Sequence, residues 1–214
     1  MGTKIVYEGG EGELIEKKSR FIATVKPVDT EEEALEFIAE LKKKYWNATH
    51  NCFAFVIGER QEIQRCSDDG EPQGTAGRPM LDVLLGEEIH NVAVVVTRYF
   101  GGTLLGTGGL VRAYSRSVQE GLKQSTVIEK IKGSRITIQT DYNGVGKLQY
   151  LLGQRGIQIV DSEYTDMVKL QVLVQEEEVT ELKEAVTEAT SGKAGWEEET
   201  DISFAFIEKE PVIF

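Results

Sequence analysis

VAVVVTRYFGGTLLGTGGLVR, residues 92–112, joins an apolar run to a glycine-rich segment and then to a helix. The run at residues 92–96 predicts a buried strand, because its uninterrupted apolar residues match the length of one. Apolar residues then recur at the spacing of one helix face: Leu110, Tyr114, Val118 and Leu122. The glycines therefore lie between a buried strand and the N-terminus of a helix.

This junction predicts an anion-binding loop. Glycine lets backbone N–H groups approach a ligand, and a helix N-terminus adds unpaired donors and a partial positive charge. The predicted anion- or RNA-binding residues are Arg78, Arg98, Gly101, Gly102, Gly108, Gly109, Arg112 and Arg116. The loop is neither GxxxxGK[ST] nor GxGxxG, which excludes the familiar nucleotide-binding motifs. Glycines at such a junction also permit a tight turn without any ligand, and the arginines also fit a solvated helix face.

A second glycine-rich segment, SDDGEPQGTAGRP at residues 67–79, is acidic. Its carboxylates and a nearby histidine form the predicted polar cluster: His50, Asp68, Asp69 and Glu71. Carboxylates on a glycine turn can converge as a general base or a metal site, although the spacing does not match an EF-hand. An Asp-Gly turn, or an ion pair with Arg78, Arg98 or Arg112 that stiffens the two segments against each other, explains them equally well.

The order of predicted elements divides the chain into residues 1–133 and 134–214. The first part contains two early strands within residues 13–28, a helix capped at Thr30, a hairpin, a short helix starting near Pro79, and the unit described above. The second part reads strand, helix, strand, strand, helix, strand, which is the ferredoxin-like βαββαβ plan. We therefore predict an α+β protein of two domains.

Charge is distributed unevenly between these parts. The net charge is −12 over 214 residues; residues 1–133 carry 17 basic and 20 acidic side chains, and residues 134–214 carry 7 and 16. The second part would repel nucleic acid, so any RNA contact must use a local basic surface of the first. The acidic helix face at residues 176–188 is either a surface for a protein partner or simply solvated.

The two cysteines, Cys52 and Cys66, do not form the framework of a secreted disulfide protein. Together with His50 and His90 they match no zinc pattern, so no metal and no cofactor is predicted. Apolar stretches are only strand-length, and the N-terminus lacks the apolar core of a signal peptide. We expect reduced thiols, no membrane span and a cytoplasmic protein.

Three motifs in this order resemble the IMPACT (YigZ-like) family: ATHNCFA at residues 48–54, SDDGEP with GTAG at residues 67–77, and RYFGG through LVRAY at residues 98–114. The resemblance spans roughly residues 15–125, and the remainder looks like the second domain of bacterial members. It implies a first domain similar to domain 2 of ribosomal protein S5 and a second similar to the last domain of elongation factor G. It implies no catalytic residues.

The resemblance also implies a link to translation. Eukaryotic relatives regulate translation by competing for the activator of an initiation-factor kinase, and they use an additional N-terminal domain that this chain has no room for. We therefore predict a non-enzymatic factor that binds RNA or the ribosome through its first domain. The alternative is an enzyme acting on a phosphorylated small molecule at the glycine-rich loop, since some small-molecule kinases resemble the same superfamily.

Overall fold

A computed structural model describes residues 2–214, which form two compact units. The first domain is Thr3–Ile128, and the second is Glu129–Phe214 together with Gly2. The division falls after Ile128, slightly before the predicted boundary after Gly133. No helix among the described residues is both long and apolar enough to cross a membrane.

The first domain is built from seven strands and three helices. The strands are β1 (Thr3–Glu8), β2 (Glu11–Glu16), β3 (Ser19–Pro27), β4 (His50–Ile57), β5 (Ile63–Ser67), β6 (Ile89–His90) and β7 (Val92–Tyr99). The helices are α1 (Glu31–Lys44), α2 (Gly77–Gly86) and α3 (Thr107–Lys123). Five strands form an antiparallel sheet in the order β2-β3-β7-β4-β5, while β1 pairs in parallel with β6.

Both faces of this sheet are covered, which explains the uninterrupted apolar run of β7. Val94 and Val96 pack with α2 and α3 on one face. Ala93 and Val95 pack with α1 on the other. Because successive side chains of a strand point to opposite faces, a strand at the centre of three layers must be apolar at every position.

The start of α1 follows from its sequence. Thr30 accepts a hydrogen bond from the Glu33 amide at 3.2 Å, and the Glu33 carboxylate accepts one from the Asp29 amide at 2.7 Å. The first bond pairs a donor that the first helical turn leaves open, which confirms the predicted N-cap at Thr30. The second half of the predicted capping box differs, because the Glu33 carboxylate binds the amide of Asp29, the residue before the N-cap, and not that of Thr30.

The second domain has the predicted βαββαβ order with one strand added. Its elements are β8 (Thr126–Thr140, beginning in the first domain), α4 (Val145–Gln154), β9 (Ile159–Tyr164), β10 (Val168–Gln175), α5 (Val179–Thr190), β11 (Gly195–Ile207) and β12 (Glu210–Ile213). A 3₁₀ turn, Glu176–Glu178, precedes α5. The sheet order is β9-β10-β8-β11-β12, with every neighbouring pair antiparallel. The ferredoxin-like plan, and with it the predicted α+β class, is confirmed.

One predicted connection is in fact a strand. The sequence places a short domain boundary at residues 131–134, before a strand that starts at Arg135, whereas β8 begins at Thr126 and runs through the boundary. A Cβ at Gly133 would lie 2.0 Å from the Val174 carbonyl oxygen of β10. This glycine therefore allows close approach of a neighbouring strand, which sequence alone does not distinguish from a flexible link.

Three short strands have no counterpart in the sequence prediction: β1, β6 and β12. β6 has two residues, and within β1 only Val6 is buried. β6 is too short to show hydrophobic alternation, and β1, although as long as β2, buries a single side chain, so neither leaves a strand pattern in the sequence. None of the four side chains of β12 is fully buried, which has the same consequence.

Candidate functional site

The two glycine-rich segments leave the five-stranded sheet at the same end. His50, the first residue of β4, pairs with Arg98 near the end of β7. Ser67, the last residue of β5, pairs with Phe53 nearby on β4. In addition, Glu71 of the acidic segment hydrogen-bonds to Arg98. These contacts bring residues 67–79 and 98–112 together at one end of the sheet.

A buried ion pair joins the two segments. Arg98 Nη1 donates to Glu71 Oε1 at 2.5 Å, and the Tyr114 hydroxyl donates to the same oxygen at 2.7 Å. The Arg98 and Glu71 side chains are only 6% and 3% exposed. Burial raises the pKa of Tyr114, so its hydroxyl remains a donor. Of the ion pairs that the sequence left open, the one between Arg98 and the acidic segment forms. Together with the Tyr114 hydrogen bond, it links β7, α3 and the acidic segment.

Arg98 was predicted to bind an anion, but it is 5% exposed and used within the protein. Its Nη2 lies 3.3 Å from Ser19 Oγ, and its guanidinium lies 5.3 Å from the centre of the Phe21 ring. Its Nε is buried without a partner among residues 2–214. Arg98 therefore holds the base of the site together and does not present its charge at the surface.

The acidic residues are likewise engaged by the protein. Asp68 accepts from the backbone amides of Gly74, Ala76 and Gly77 at 2.8–3.0 Å, which places its charge at the N-terminus of α2. Burial alone would raise the pKa of Asp68, but these hydrogen bonds lower it below 3.8.

Asp69 has a similar structural role. Its carboxylate accepts hydrogen bonds from the backbone N–H of Asn51 at 2.7 Å and from Lys42 Nζ at 2.6 Å. The acidic segment is thereby fixed to β4 and α1. With Glu71 bound to Arg98, each of the three carboxylates has partners from its own chain.

His50 completes the polar cluster, whose four members the structure brings together. Its Nδ1 lies 2.8 Å from the Asp69 carbonyl oxygen, and its Nε2 lies 3.8 Å from Glu71 Oε2. Cys52, two residues further along β4, directs its thiol at the Asp68 carbonyl oxygen at 2.9 Å. Burial raises the pKa of this thiol to about 12, so the thiolate needed for nucleophilic catalysis does not form near neutral pH.

Three of the predicted arginines lie on the surface. Arg78 pairs with Asp82 of the same helix at 2.7 Å. Arg116 is 3.6 Å from Glu16. Among residues 2–214 no carboxylate forms an ion pair with Arg112, which is exposed on α3. Arg112 is therefore the predicted cation most available to a ligand.

Two further cations lie at this site that the sequence did not predict to bind a ligand. Lys17 and Lys18 form the exposed turn between β2 and β3, and within the described chain neither forms an ion pair. The turn is adjacent to the glycine-rich loop, because a Cβ on Gly101 would lie 2.0 Å from the Lys18 carbonyl carbon. In the sequence, the two adjacent lysines interrupt the pattern of the early strands. This interruption predicts a turn but does not show that the turn lies beside the glycine-rich loop.

The glycines of the loop differ in what they contact. Gly101 packs against the β2–β3 turn, and a Cβ on Gly109 would lie 3.0 Å from Leu105 Cβ. A Cβ on Gly102 or Gly108 would meet nothing within 4 Å. Packing therefore explains the first two glycines, while the backbone at Gly102 and Gly108 is open to an approaching ligand.

Gly101→Ala is expected to lower the free energy of unfolding of the first domain by about 1–3 kcal/mol, because backbone atoms must move to admit the methyl group. Gly108→Ala should leave stability unchanged or raise it by up to about 1 kcal/mol, since alanine favours the first turn of α3. Urea denaturation of both variants checks this pair. Equal stability of the two would contradict the packing role of Gly101.

Sequence profiles match both domains. The Impact N-terminal domain matches residues 17–122, and a domain of unknown function, DUF1949, matches residues 138–193. The IMPACT family member YvyE of Bacillus subtilis (strain 168) is 46% identical over 189 residues, which cover 88% of this chain and 87% of that protein. The chain belongs to the IMPACT family.

Other similar proteins agree with this assignment. The IMPACT family member YigZ of Escherichia coli (strain K12) is 39% identical over 178 residues, covering 82% of this chain and 87% of that protein. A crystal structure described as that of a hypothetical protein aligns with a TM-score of 0.59 and 35% identity, over 92% of this chain and 97% of the other. The Impact N-terminal match contains both glycine-rich segments and the lysine turn.

Proposed function

We propose that this IMPACT family protein is a cytoplasmic, non-enzymatic factor that binds RNA or the ribosome through its first domain. The observation that carries the proposal is a surface on which exposed cations surround two glycines with free space beside their Cα atoms. We call this surface the basic loop face, and its residues are Lys17, Lys18, Gly102, Gly108, Arg112 and Arg116. Exposed cations confer affinity for phosphates, and uncovered amide groups near a helix N-terminus contribute hydrogen-bond donors.

Three of the four cations on this face lack an intramolecular partner among the described residues, since only Arg116 has a carboxylate within 4 Å. An exposed ion pair at 3.6 Å contributes little to stability and can be exchanged for a phosphate. The face is basic although the chain is acidic, with a net charge of −12. A polyanion would therefore be attracted to this face of the first domain and repelled by the acidic second domain.

The role in translation is supported by family membership and by the resemblance to eukaryotic regulators of translation described above. An RNA or ribosomal surface is the polyanion that such a factor would meet. The alternative, an enzyme for a phosphorylated small molecule, has less support, because Asp68, Asp69 and Glu71 are engaged by the protein and Cys52 is held as a thiol. None of these groups is thus free to act as a base or nucleophile.

Replacing both Arg112 and Arg116 by alanine is expected to weaken binding to a structured RNA equally for different sequences. The slope of log K against log salt concentration should fall by about two, because each lost phosphate contact removes nearly one released counterion. Fluorescence anisotropy of a labelled RNA over a salt series measures both quantities.

A matched control removes the same charge elsewhere. Lys147 and Lys193 are exposed cations of the second domain, and Lys147→Ala with Lys193→Ala should leave the salt slope unchanged. An equal loss in both double variants would mean that net charge, and not the basic loop face, sets the affinity. Wild-type protein that binds neither RNA nor ribosomes, but whose melting temperature rises with a phosphorylated small molecule, would favour the enzyme instead.

A further inference from the structure

Two aromatic side chains at the basic end of the first domain have no place in its core. Trp46, in the loop between α1 and β4, is 82% exposed, and Phe100, just after β7, is 46% exposed. Large aromatic rings lose favourable burial when left in water, so an exposed tryptophan beside a charged surface calls for an explanation. The packing of this domain does not supply one.

Hydrogen bonds hold the two loops that carry these rings together. The Tyr99 hydroxyl donates to Asn47 Oδ1 at 3.2 Å, and the Phe100 amide donates to Thr49 Oγ1 at 3.1 Å. The Thr49 amide in turn donates to the Arg98 carbonyl oxygen at 2.9 Å. Asn47, which follows Trp46 in sequence, is thus hydrogen-bonded to Tyr99, which precedes Phe100. Both rings belong to one ordered end of the sheet.

The Phe100 ring also contacts a buried side chain of its own domain. The Arg98 guanidinium lies 5.7 Å from its centre, within the range of a cation–π contact. Since Arg98 is itself fixed by Glu71, the ring is held at low entropic cost while nearly half of its surface remains open. An aromatic side chain ordered in this way can stack on a planar ligand without first losing rotamer freedom.

Unpaired cations lie close to the residues that carry these rings. The Lys17–Lys18 turn contacts Gly101, the residue after Phe100, and exposed Lys43 is three residues before Trp46. None of these three lysines has an ion-pair partner among residues 2–214. Exposed aromatic rings together with free cations complement a polymer of planar bases and phosphates. A purely apolar protein partner would leave these charges unpaired.

We infer that this surface binds unpaired RNA, whose bases stack on Trp46 and Phe100 while Lys17, Lys18 and Lys43 contact the phosphates. The inference rests on the proposed RNA-binding function and specifies the form of RNA. In a duplex the base faces are occupied by their neighbours, so only unpaired nucleotides can stack on exposed rings. Recognition by stacking tolerates any base, since each has a π-face.

Binding of an unpaired 12-nucleotide RNA and of a blunt RNA duplex of the same length, measured by anisotropy, tests the inference. Trp46→Ala should weaken binding of the unpaired RNA by roughly 5- to 150-fold and leave duplex binding unchanged, whereas Trp46→Phe should retain most of the affinity. Trp46 is exposed, so its removal leaves the core intact. Tyr150→Ala, at an aromatic residue of the second domain that is 69% exposed, is the control and should change neither affinity.

Fluorescence gives a direct reading of stacking. The chain has two tryptophans, so in a Trp196→Phe variant the emission reports Trp46 alone, and unpaired RNA should quench it. Unchanged affinity in Trp46→Ala and Phe100→Ala, together with a loss in Arg112→Ala/Arg116→Ala, would overturn the stacking inference and leave the proposed function standing. Equal binding of duplex and unpaired RNA to wild type would also overturn it. Wild-type protein that binds neither RNA would overturn both.

Discussion

Arg98→Met is expected to lower the free energy of unfolding of the first domain by about 3–5 kcal/mol, because it leaves the Glu71 carboxylate buried without its cation. Glu71 would keep the Tyr114 hydroxyl bond at 2.7 Å, which does not neutralise its charge. Because proteins of two domains often depart from a single unfolding transition, stability is best measured by hydrogen exchange of β7 amides at increasing urea concentration.

A double-mutant cycle separates the ion pair from side-chain packing. Glu71→Gln alone should also destabilise the domain, because it leaves Arg98 charged and buried, but the double variant should lose much less than the sum of the two. Arg78→Met provides the control, since its ion pair with Asp82 at 2.7 Å is exposed and should be worth at most about 1 kcal/mol. Additive losses in the double variant would show that Arg98 and Glu71 do not stabilise each other.

Asp68→Ala is expected to destabilise the first domain by about 2 kcal/mol or more. The substitution removes the acceptor of three backbone amides and the charge that caps α2 from a distant position in the chain. Loss of order should concentrate in residues 68–77, where hydrogen exchange should accelerate first. Asp82→Ala, which removes an exposed carboxylate from the same helix, should cost less than about 1 kcal/mol.

The pH dependence of the Asp68 contribution has a definite sign. Its pKa in the folded protein lies below the ordinary value of 3.8, so its contribution is complete above pH 3.8 and is lost as pH falls through the folded pKa. The stability difference between wild type and Asp68→Asn should therefore be largest near neutral pH and shrink on acidification below 3.8. A difference that stays constant over this range would show that the Asp68 charge contributes nothing.

Local patterns were sufficient to predict most of the fold. The Thr30 N-cap marks the start of α1, the apolar run marks β7, and strand and helix periods in residues 134–214 reproduce the ferredoxin-like order. The strand that runs through Gly133 was missed because a glycine that admits a neighbouring backbone resembles a linker in sequence. The two-residue strand β6 was missed because its pairing with β1 leaves almost no local signal.

The sequence predicted which residues form the site better than it predicted what each of them does. Both glycine-rich segments and the polar residues were found, and the structure places them at one end of the sheet. The role of each charged residue could not be read from spacing, because an arginine next to a glycine-rich loop can face solvent or a buried carboxylate. For Arg98 the structure gives the second answer, and for Arg112 the first.

By itself the sequence determined most of the strands and all five α-helices, because periodicity, capping and glycine placement act over a few residues. The tertiary structure alone decided which charges are neutralised inside the protein. Arg98, Glu71 and Tyr114 come from three separate parts of the chain, and their pairing depends on strand register and on how α3 packs against the sheet. The same packing leaves Lys17, Lys18, Trp46 and Arg112 exposed at the surface, where they can meet solvent or a ligand. Charge and burial are set by neighbours distant in sequence, and so only the assembled fold distinguishes a structural cation from one available for binding.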